Sequence, residues 1–276
     1  MRRLFILFAL LAIMSMTHAQ SSQALKAMQA KGLPTNAIPA KYYFQHQYEA
    51  AEALRQFGEG SLDESSIVVP DAQGQGGEAT IFFFIVPQPV KADQDFGFVD
   101  LWIFDDATQR ARRIFHQNPN NYGEHIVLDI HMMGDVNVRD SVYTDKKTRQ
   151  RITRHLRTGY PVAALQVQLY NGTGHGIIST LLVDGRTGNT QLLEHQTPVK
   201  VLYPLTNMLM LAEWNMAQSY LITTGSAVNS DDPYQPTEDF DIFSHMNFTP
   251  NLYIYTPKGQ LLKTIELPTE CIDMVR

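Results

Sequence analysis

Two carboxylates and a histidine form the first candidate site, for a metal ion. Asp129 and His131 are two positions apart in an alternating polar and apolar segment, so they share one face of a strand about 7 Å apart. We predict a four-residue hairpin loop at residues 134–137, which would place Asp140 opposite His131. Such a group suits a divalent ion. A one-residue change of register would separate the three side chains, leaving a solvated polar face.

A run of basic residues is the second candidate site, for an anionic partner. Residues 139–157 hold seven Arg and Lys side chains against two acids, in a chain of formal net charge −6. On an extended strand, one face would carry Arg149, Arg151, His155 and Arg157. Guanidinium groups pair with carboxylates and phosphates, so we expect an anionic glycan, lipid or envelope protein as partner. The same charges would also protect a strand edge from other chains. The predicted anion-binding residues are Arg149, Arg151, Arg154 and Arg157.

Other polar segments give no distinct chemistry. The acids between Asp231 and Asp241 lack the spacing of a calcium loop. The glycines at 172–176 precede a predicted strand, whereas a phosphate-binding loop precedes a helix, so we interpret them as a hairpin. No Gly-x-Ser-x-Gly elbow occurs. We therefore predict no cofactor and find no evident catalytic motif, which leaves open whether the chain is an enzyme.

The elements that carry these residues are predicted to be strands. Residues 20–60 contain two apolar stripes at helical spacing and form a helical N-terminal segment, and residues 61–276 form an all-β domain. Residues 81–86 are continuously apolar, which indicates a strand buried on both faces. The following segments alternate and end at Gly, Pro, Asn or Asp, as antiparallel strands do.

A turn motif repeats along this domain. Asp105-x-x-Thr108, Asp145-x-x-Thr148 and Asp184-x-x-Thr187 begin about 40 residues apart, and Asp closes such turns by a bond from its side chain to the backbone. The segments 142–152 and 252–262 resemble the outer hairpins of exported β-propellers. That resemblance implies a propeller-like antiparallel meander.

Two alternative architectures remain open. We count three strands between successive turn motifs, whereas propeller blades have four. A long meander could also curl into a half-barrel, which resembles the periplasmic lipoprotein carriers that also begin with a helix, or form a sandwich.

The N-terminus indicates export. Arg2 and Arg3 precede thirteen residues with one polar member, and Thr17-His18-Ala19 is typical of a cleavage site, so residues 1–19 read as a signal peptide. We expect a periplasmic or secreted protein with no later segment that spans a membrane. Its acidic balance argues against nucleic acid. Cys271, the single cysteine, has no partner within the chain for a disulfide.

The function expected from these features is that of an exported binding or scaffold protein of the cell envelope. An envelope hydrolase on a propeller and a lipid or lipoprotein carrier on a half-barrel are the alternatives.

Overall fold

A computed structural model describes residues 23–47, 49, 53–70, 77–89, 98–118, 126–170, 176–193, 197–202, 220–228 and 248–268. The predictions for the signal peptide, for the acidic segment at 231–241, for most of the glycine segment at 172–176 and for Cys271 lie outside these residues. No helix in the described part is both long and apolar enough to cross a membrane.

Short helices precede a body of antiparallel strands. The helices are α1 (23–30), α2 (Ala40–His46) and α3 (Glu59–Glu64), with a single 3₁₀ turn at Ala53–Arg55. The strands are β1 (Ile38–Pro39), β2 (Ser66–Pro70), β3 (Glu78–Pro87), β4 (Val99–Asp105), β5 (Arg110–His116), β6 (Ile126–Thr144), β7 (Arg151–Tyr170), β8 (Gly176–Asp184), β9 (Thr190–Leu193), β10 (Thr197–Leu202), β11 (Tyr220–Val228), β12 (Phe248–Tyr255) and β13 (Leu261–Glu266).

The strands form three antiparallel sheets in chain order. The first sheet runs β2–β3–β4–β5, with β1 paired to another stretch of β3; the second runs β6–β7–β8–β9 and the third β10–β11–β12–β13. Among the described strands none of the sheets closes into a barrel. The prediction of a mostly β, antiparallel fold with short N-terminal helices is confirmed.

The sheets stack face to face, because their central strands are apolar on both faces. Phe83 and Ile85 of β3 share a core with Leu165 of β7 and Val183 of β8, between the first and second sheets. On the other face of β3, Phe84 packs against the helical segment. The strand at 81–86 is therefore buried on both faces, as predicted. Across the second sheet, a further cluster joins Met133, Val162, Ala164, Leu182 and Leu193 to Leu221 and Tyr255 of the third.

The predicted hairpin at residues 134–137 is wrong, because β6 is one continuous strand. Gly134 pairs with Pro161 inside the ladder between β6 and β7. A Cβ at Gly134 would lie 3.0 Å from Val69 of β2, and a Cβ at Gly159 would lie 2.6 Å from Pro70 Cδ and 2.9 Å from Val69 Cβ. These two glycines mark the close crossing of another strand rather than a turn.

The repeated Asp-x-x-Thr motifs close β-hairpins, as predicted. In each turn an Asp Oδ1 accepts the backbone N–H of the Thr three residues later, at 3.1, 2.7 and 3.2 Å for Asp105, Asp145 and Asp184. The backbone N–H groups of Thr148 and Lys147 lower the pKa of Asp145, because both bonds favour its charged form. Thus the side-chain bonds that define the turn also keep its carboxylate ionised.

Our count of three strands between motifs is wrong. The first two motifs are separated by β5 and β6, and the next two by β7 and β8. The hairpin predicted at 134–137 divides residues 126–144 into two strands, but they form β6 alone, and residues 151–170 likewise form β7 alone. The 40-residue period is thus half of a four-stranded sheet.

We predict that Gly159→Ala destabilises the protein by about 1–3 kcal/mol. The new methyl group would overlap Cδ of Pro70 and Cβ of Val69, and neither atom can move away by rotation of a side chain. Chemical unfolding followed by circular dichroism measures the effect. Gly60→Ala is the matched control, since its Cβ would meet nothing within 4 Å, and it should be neutral or slightly stabilising. Equal effects of the two substitutions would contradict the crossing.

We also predict that Arg149→Gly raises the free energy of unfolding by about 1 kcal/mol. Arg149 has φ of 59°, a left-handed conformation that costs an L-residue this much, and the corresponding turn residue after Thr187 is Gly188, at 76°. Thermal unfolding of the two proteins tests this. A lower melting temperature for Arg149→Gly would show that the Arg149 side chain stabilises the turn.

Candidate functional site

Asp129 and His131 lie together, and a lysine joins them. Lys41 of α2 donates to both carboxylate oxygens of Asp129, at 2.8 and 3.1 Å, and His131 Nε2 lies 3.9 Å from Asp129 Oδ2. All three side chains are partly buried. Since Lys41 lies 88 positions before Asp129, sequence spacing gave no signal for it. The group is a docking point of α2 on the second sheet.

Asp140 does not join this group. Because β6 continues through residues 134–137, His131 pairs with Ala164 and Asp140 pairs with His155 farther along the same hairpin. Nine residues of strand separate His131 from Asp140, about 30 Å. Within the described residues no three His, Cys, Asp or Glu side chains are grouped so that they could hold a metal ion. The geometry on which we based the metal site is therefore wrong, and Lys41 occupies the carboxylate.

The predicted basic run forms a two-stranded arm, defined as residues 138–157. Over this stretch β6 and β7 pair only with each other among the described strands, whereas β8 begins to pair with β7 at Val162. The part of β6 in the arm is seven residues long, 138–144, so the arm is about 24 Å long up to its turn. The arm therefore extends past the other described strands of its sheet.

Pairing distributes the basic residues over both faces of the arm. Directly opposite residues share a face and successive pairs alternate. Arg151 and Arg157 share a face with Asp140, as expected for these two arginines, while Arg154 lies on the other face with Arg139. Arg149 belongs to the turn and to neither strand face. The four predicted arginines therefore do not form one surface.

The face with Arg139 and Arg154 combines charge with apolar surface. Its remaining paired residues include Leu156 opposite Arg139 and Tyr143 opposite Ile152. Tyr143 is 48% exposed, and both arginines are exposed. We call this surface, Arg139, Ser141, Tyr143, Ile152, Arg154 and Leu156, the mixed face. It contains no acidic residue.

The base of the arm is tied to the third sheet. Lys258, in the turn between β12 and β13, donates to Asn137 Oδ1 at 3.2 Å and forms an ion pair with Asp135 at 3.3 Å. Asp135 is mostly buried, whereas the Lys258 side chain is more than half exposed. The arm therefore leaves the body at a point where β2 and the third sheet both contact the hairpin.

A second polar cluster, which sequence analysis missed, surrounds Asp100 of β4. Its Oδ1 accepts from His116 Nδ1 at 2.7 Å and from Gln88 Nε2 at 2.9 Å, and its Oδ2 accepts from Arg113 at 3.2 Å. The Asp100 side chain is only 13% exposed, whereas His116 is 47% exposed. A buried carboxylate is thus held by three donors, two of which face solvent.

A β-bulge builds this cluster. Phe115 pairs with Leu101 but Arg113 pairs with Trp102, so Ile114 is an extra residue in β5. In a regular strand, residues three apart lie on opposite faces, and the bulge brings Arg113 to the carboxylate that His116 also reaches. An acid at position 100 within an apolar strand was a signal of a buried ion pair, but nothing in the sequence marks the bulge.

No protein-family model matches the chain, and a search of curated proteins and a search of solved structures gave no match.

Burial lowers the pKa of His131 below its ordinary value of 6.5, because desolvation disfavours the imidazolium; Asp129 raises it and Lys41 lowers it. As the pH falls, the imidazole of His131 is protonated in the unfolded chain before it is protonated in the native state. The free energy of unfolding therefore decreases as the pH falls below about 6.5.

We predict that Lys41→Met raises the pKa of His131 and that Asp129→Asn lowers it further. Titration of the imidazole by NMR measures both. Shifts in the same direction would contradict the ion-pair geometry.

Proposed function

We propose that the protein is an exported binding protein of the cell envelope and that its arm binds an acidic polysaccharide. The observation that carries the proposal is the mixed face, where two exposed arginines flank tyrosine and aliphatic side chains with no acid among them. The proposed export depends on the sequence of residues 1–19, and it would place the arm among the polymers of the envelope.

The chemistry of the mixed face suits sugar acids. Each guanidinium has a planar set of donors that matches a carboxylate. Tyr143 offers an aromatic surface on which the apolar side of a sugar ring can lie, next to Ile152. In contrast, Arg151 and Arg157 share their face with Asp140, which reduces the positive charge there. The mixed face is therefore the better surface for a polymer that alternates carboxylates with apolar ring faces.

For the scaffold we propose a propeller-like arrangement. The second and third sheets each have four strands in meander order, the number typical of a blade, and the first has such a meander from β2 to β5 with β1 as a fifth strand. Adjacent sheets share apolar clusters. In the described part of the chain these clusters place apolar side chains between the sheets, whereas a lipid carrier needs an open apolar cavity there. A binding role on this scaffold is thus better supported than a lipid or lipoprotein carrier.

The proposal predicts that Arg139→Gln/Arg154→Gln weakens binding to polygalacturonate about 100-fold at low salt. Each lost charge-assisted hydrogen bond costs about 1.5 kcal/mol, or roughly tenfold in affinity. Titration calorimetry measures the dissociation constant, and added salt should weaken wild-type binding. Vesicles of anionic lipid, titrated in parallel, distinguish a membrane partner.

Lys146→Gln/Lys147→Gln at the tip of the arm is the charge-matched control and should weaken binding by less than tenfold. Equal losses for the two double variants would mean that net charge, not the mixed face, sets the affinity. Unchanged binding by Arg139→Gln/Arg154→Gln together with aggregation of that variant would show that these arginines only protect strand edges. Tighter binding to vesicles than to the polysaccharide would reject the proposed partner.

A further inference from the structure

The hydrogen bonds around Asp100 determine which nitrogen of His116 carries the proton. Gln88 Nε2 donates to Asp100 Oδ1 at 2.9 Å and to the backbone oxygen of Gln117 at 2.7 Å, which uses both of its protons. These two bonds also fix the orientation of the Gln88 amide. In the flipped orientation its oxygen would face two acceptor oxygens, those of Asp100 and of the Gln117 backbone. The contact of 3.4 Å between Gln88 Nε2 and His116 Nδ1 is therefore no hydrogen bond.

His116 Nδ1 must then be the donor to Asp100, because a carboxylate only accepts. In the neutral imidazole this leaves Nε2 with its lone pair, on the side of the ring away from Asp100. The His116 side chain is half exposed, and its Nε2 has no hydrogen-bond partner among the residues that the structure describes. A histidine whose Nδ1 is held by a buried carboxylate and whose Nε2 keeps its lone pair is the arrangement of a general base.

Arg113 supplies a positive charge beside this base. One guanidinium nitrogen, Nη1, donates to Asp100 at 3.2 Å, and the side chain is 48% exposed. Arg113 and His116 line one open groove of about 470 Å³. A cation in that position stabilises an oxyanion that develops next to the base.

The groove also has an apolar wall. Ile114, Phe115 and Leu181 line it together with Thr190. Ile114 and Leu181 belong to the core between the first and second sheets, and Phe115 packs against that core. Asp100 and its donors lie on the other face of the first sheet, the face of Phe84 and Trp102, so the groove runs along the edge strand β5 and borders both faces.

We propose that His116, Asp100 and Arg113 form a general-base site that hydrolyses carboxylic esters. His116 Nε2 takes a proton from water as the water oxygen bonds to the carbonyl carbon, and Arg113 stabilises the oxyanion. The bond from that carbon to the alkoxy oxygen then breaks, and the imidazolium returns the proton to the alkoxide. An acid and an alcohol leave, and no other reactant is consumed. This activity is independent of the arm.

The test is hydrolysis of p-nitrophenyl butyrate by the full chain and its variants. We expect His116→Gln to lower kcat/KM at least 100-fold, in line with general-base catalysis. His46→Gln is the matched control and should leave the rate unchanged; His46 lies on α2 and its Nδ1 contacts the backbone oxygen of Tyr42. Arg113→Gln should also lower kcat/KM, at least tenfold, and its exposed side chain makes a folded variant obtainable.

Three results would overturn the proposal. The first is a wild-type rate no higher than that of His116→Gln. The second is equal loss in His116→Gln and His46→Gln. The third is a burst of p-nitrophenol equal to the protein concentration, which would mean that His116 attacks the ester directly instead of activating water. A rate that is slower in D₂O, without a burst, supports proton transfer by the base.

Discussion

The crossing of β2 over the long hairpin is the contact on which the rest of the structure depends. A Cβ at Gly159 would overlap Pro70 and Val69, and a Cβ at Gly134 would lie only 3.0 Å from a methyl group of Val69. Because the glycines admit β2, the first sheet reaches the second and closes their shared core, and β6 and β7 continue unbroken through the crossing. The arm then begins just beyond it, where Lys258 of the third sheet also binds the hairpin. One steric requirement thus sets both the stacking of the sheets and the origin of the arm.

Both polar clusters lie beside irregularities in strands. The bulge in β5 brings Arg113 and His116 to one carboxylate, and the ladder of β6 shifts between Val127 and Asp129, next to the carboxylate that receives Lys41. At Asp100 the bulge is required, because residues 113 and 116 of a regular strand would lie on opposite faces. The clusters between the sheets are apolar, and the third sheet has further register shifts between Pro198 and Lys200 and between Ile254 and Tyr255. The arm is the opposite case, since strict alternation gives it two faces of different character.

Alternation and turn chemistry made much of the fold predictable. The strand at 81–86, the antiparallel class and the Asp-closed turns follow from local patterns. Gly134 misled us, because a glycine that admits a neighbouring strand looks the same in a sequence as one that forms a turn. That error split β6 in two, put Asp140 opposite His131 and raised the strand count per repeat. Lys41 and the bulge at Ile114 were beyond prediction, since they depend on contacts between distant segments and on a one-residue slip in register. The sequence shows the basic run at 139–157. How its side chains divide between the two faces of the arm depends on the pairing register of β6 and β7, which the sequence does not give.

The central claim is that the arm, held at its base by the crossing, is the surface that recognises a partner. Amide hydrogen exchange of the full chain, measured with and without polygalacturonate, tests this claim directly because it locates the bound polymer. The account predicts that added protection is confined to residues 138–157 and is greatest around Tyr143 and Arg154. Protection spread over the stacked sheets, with none in the arm, would contradict it.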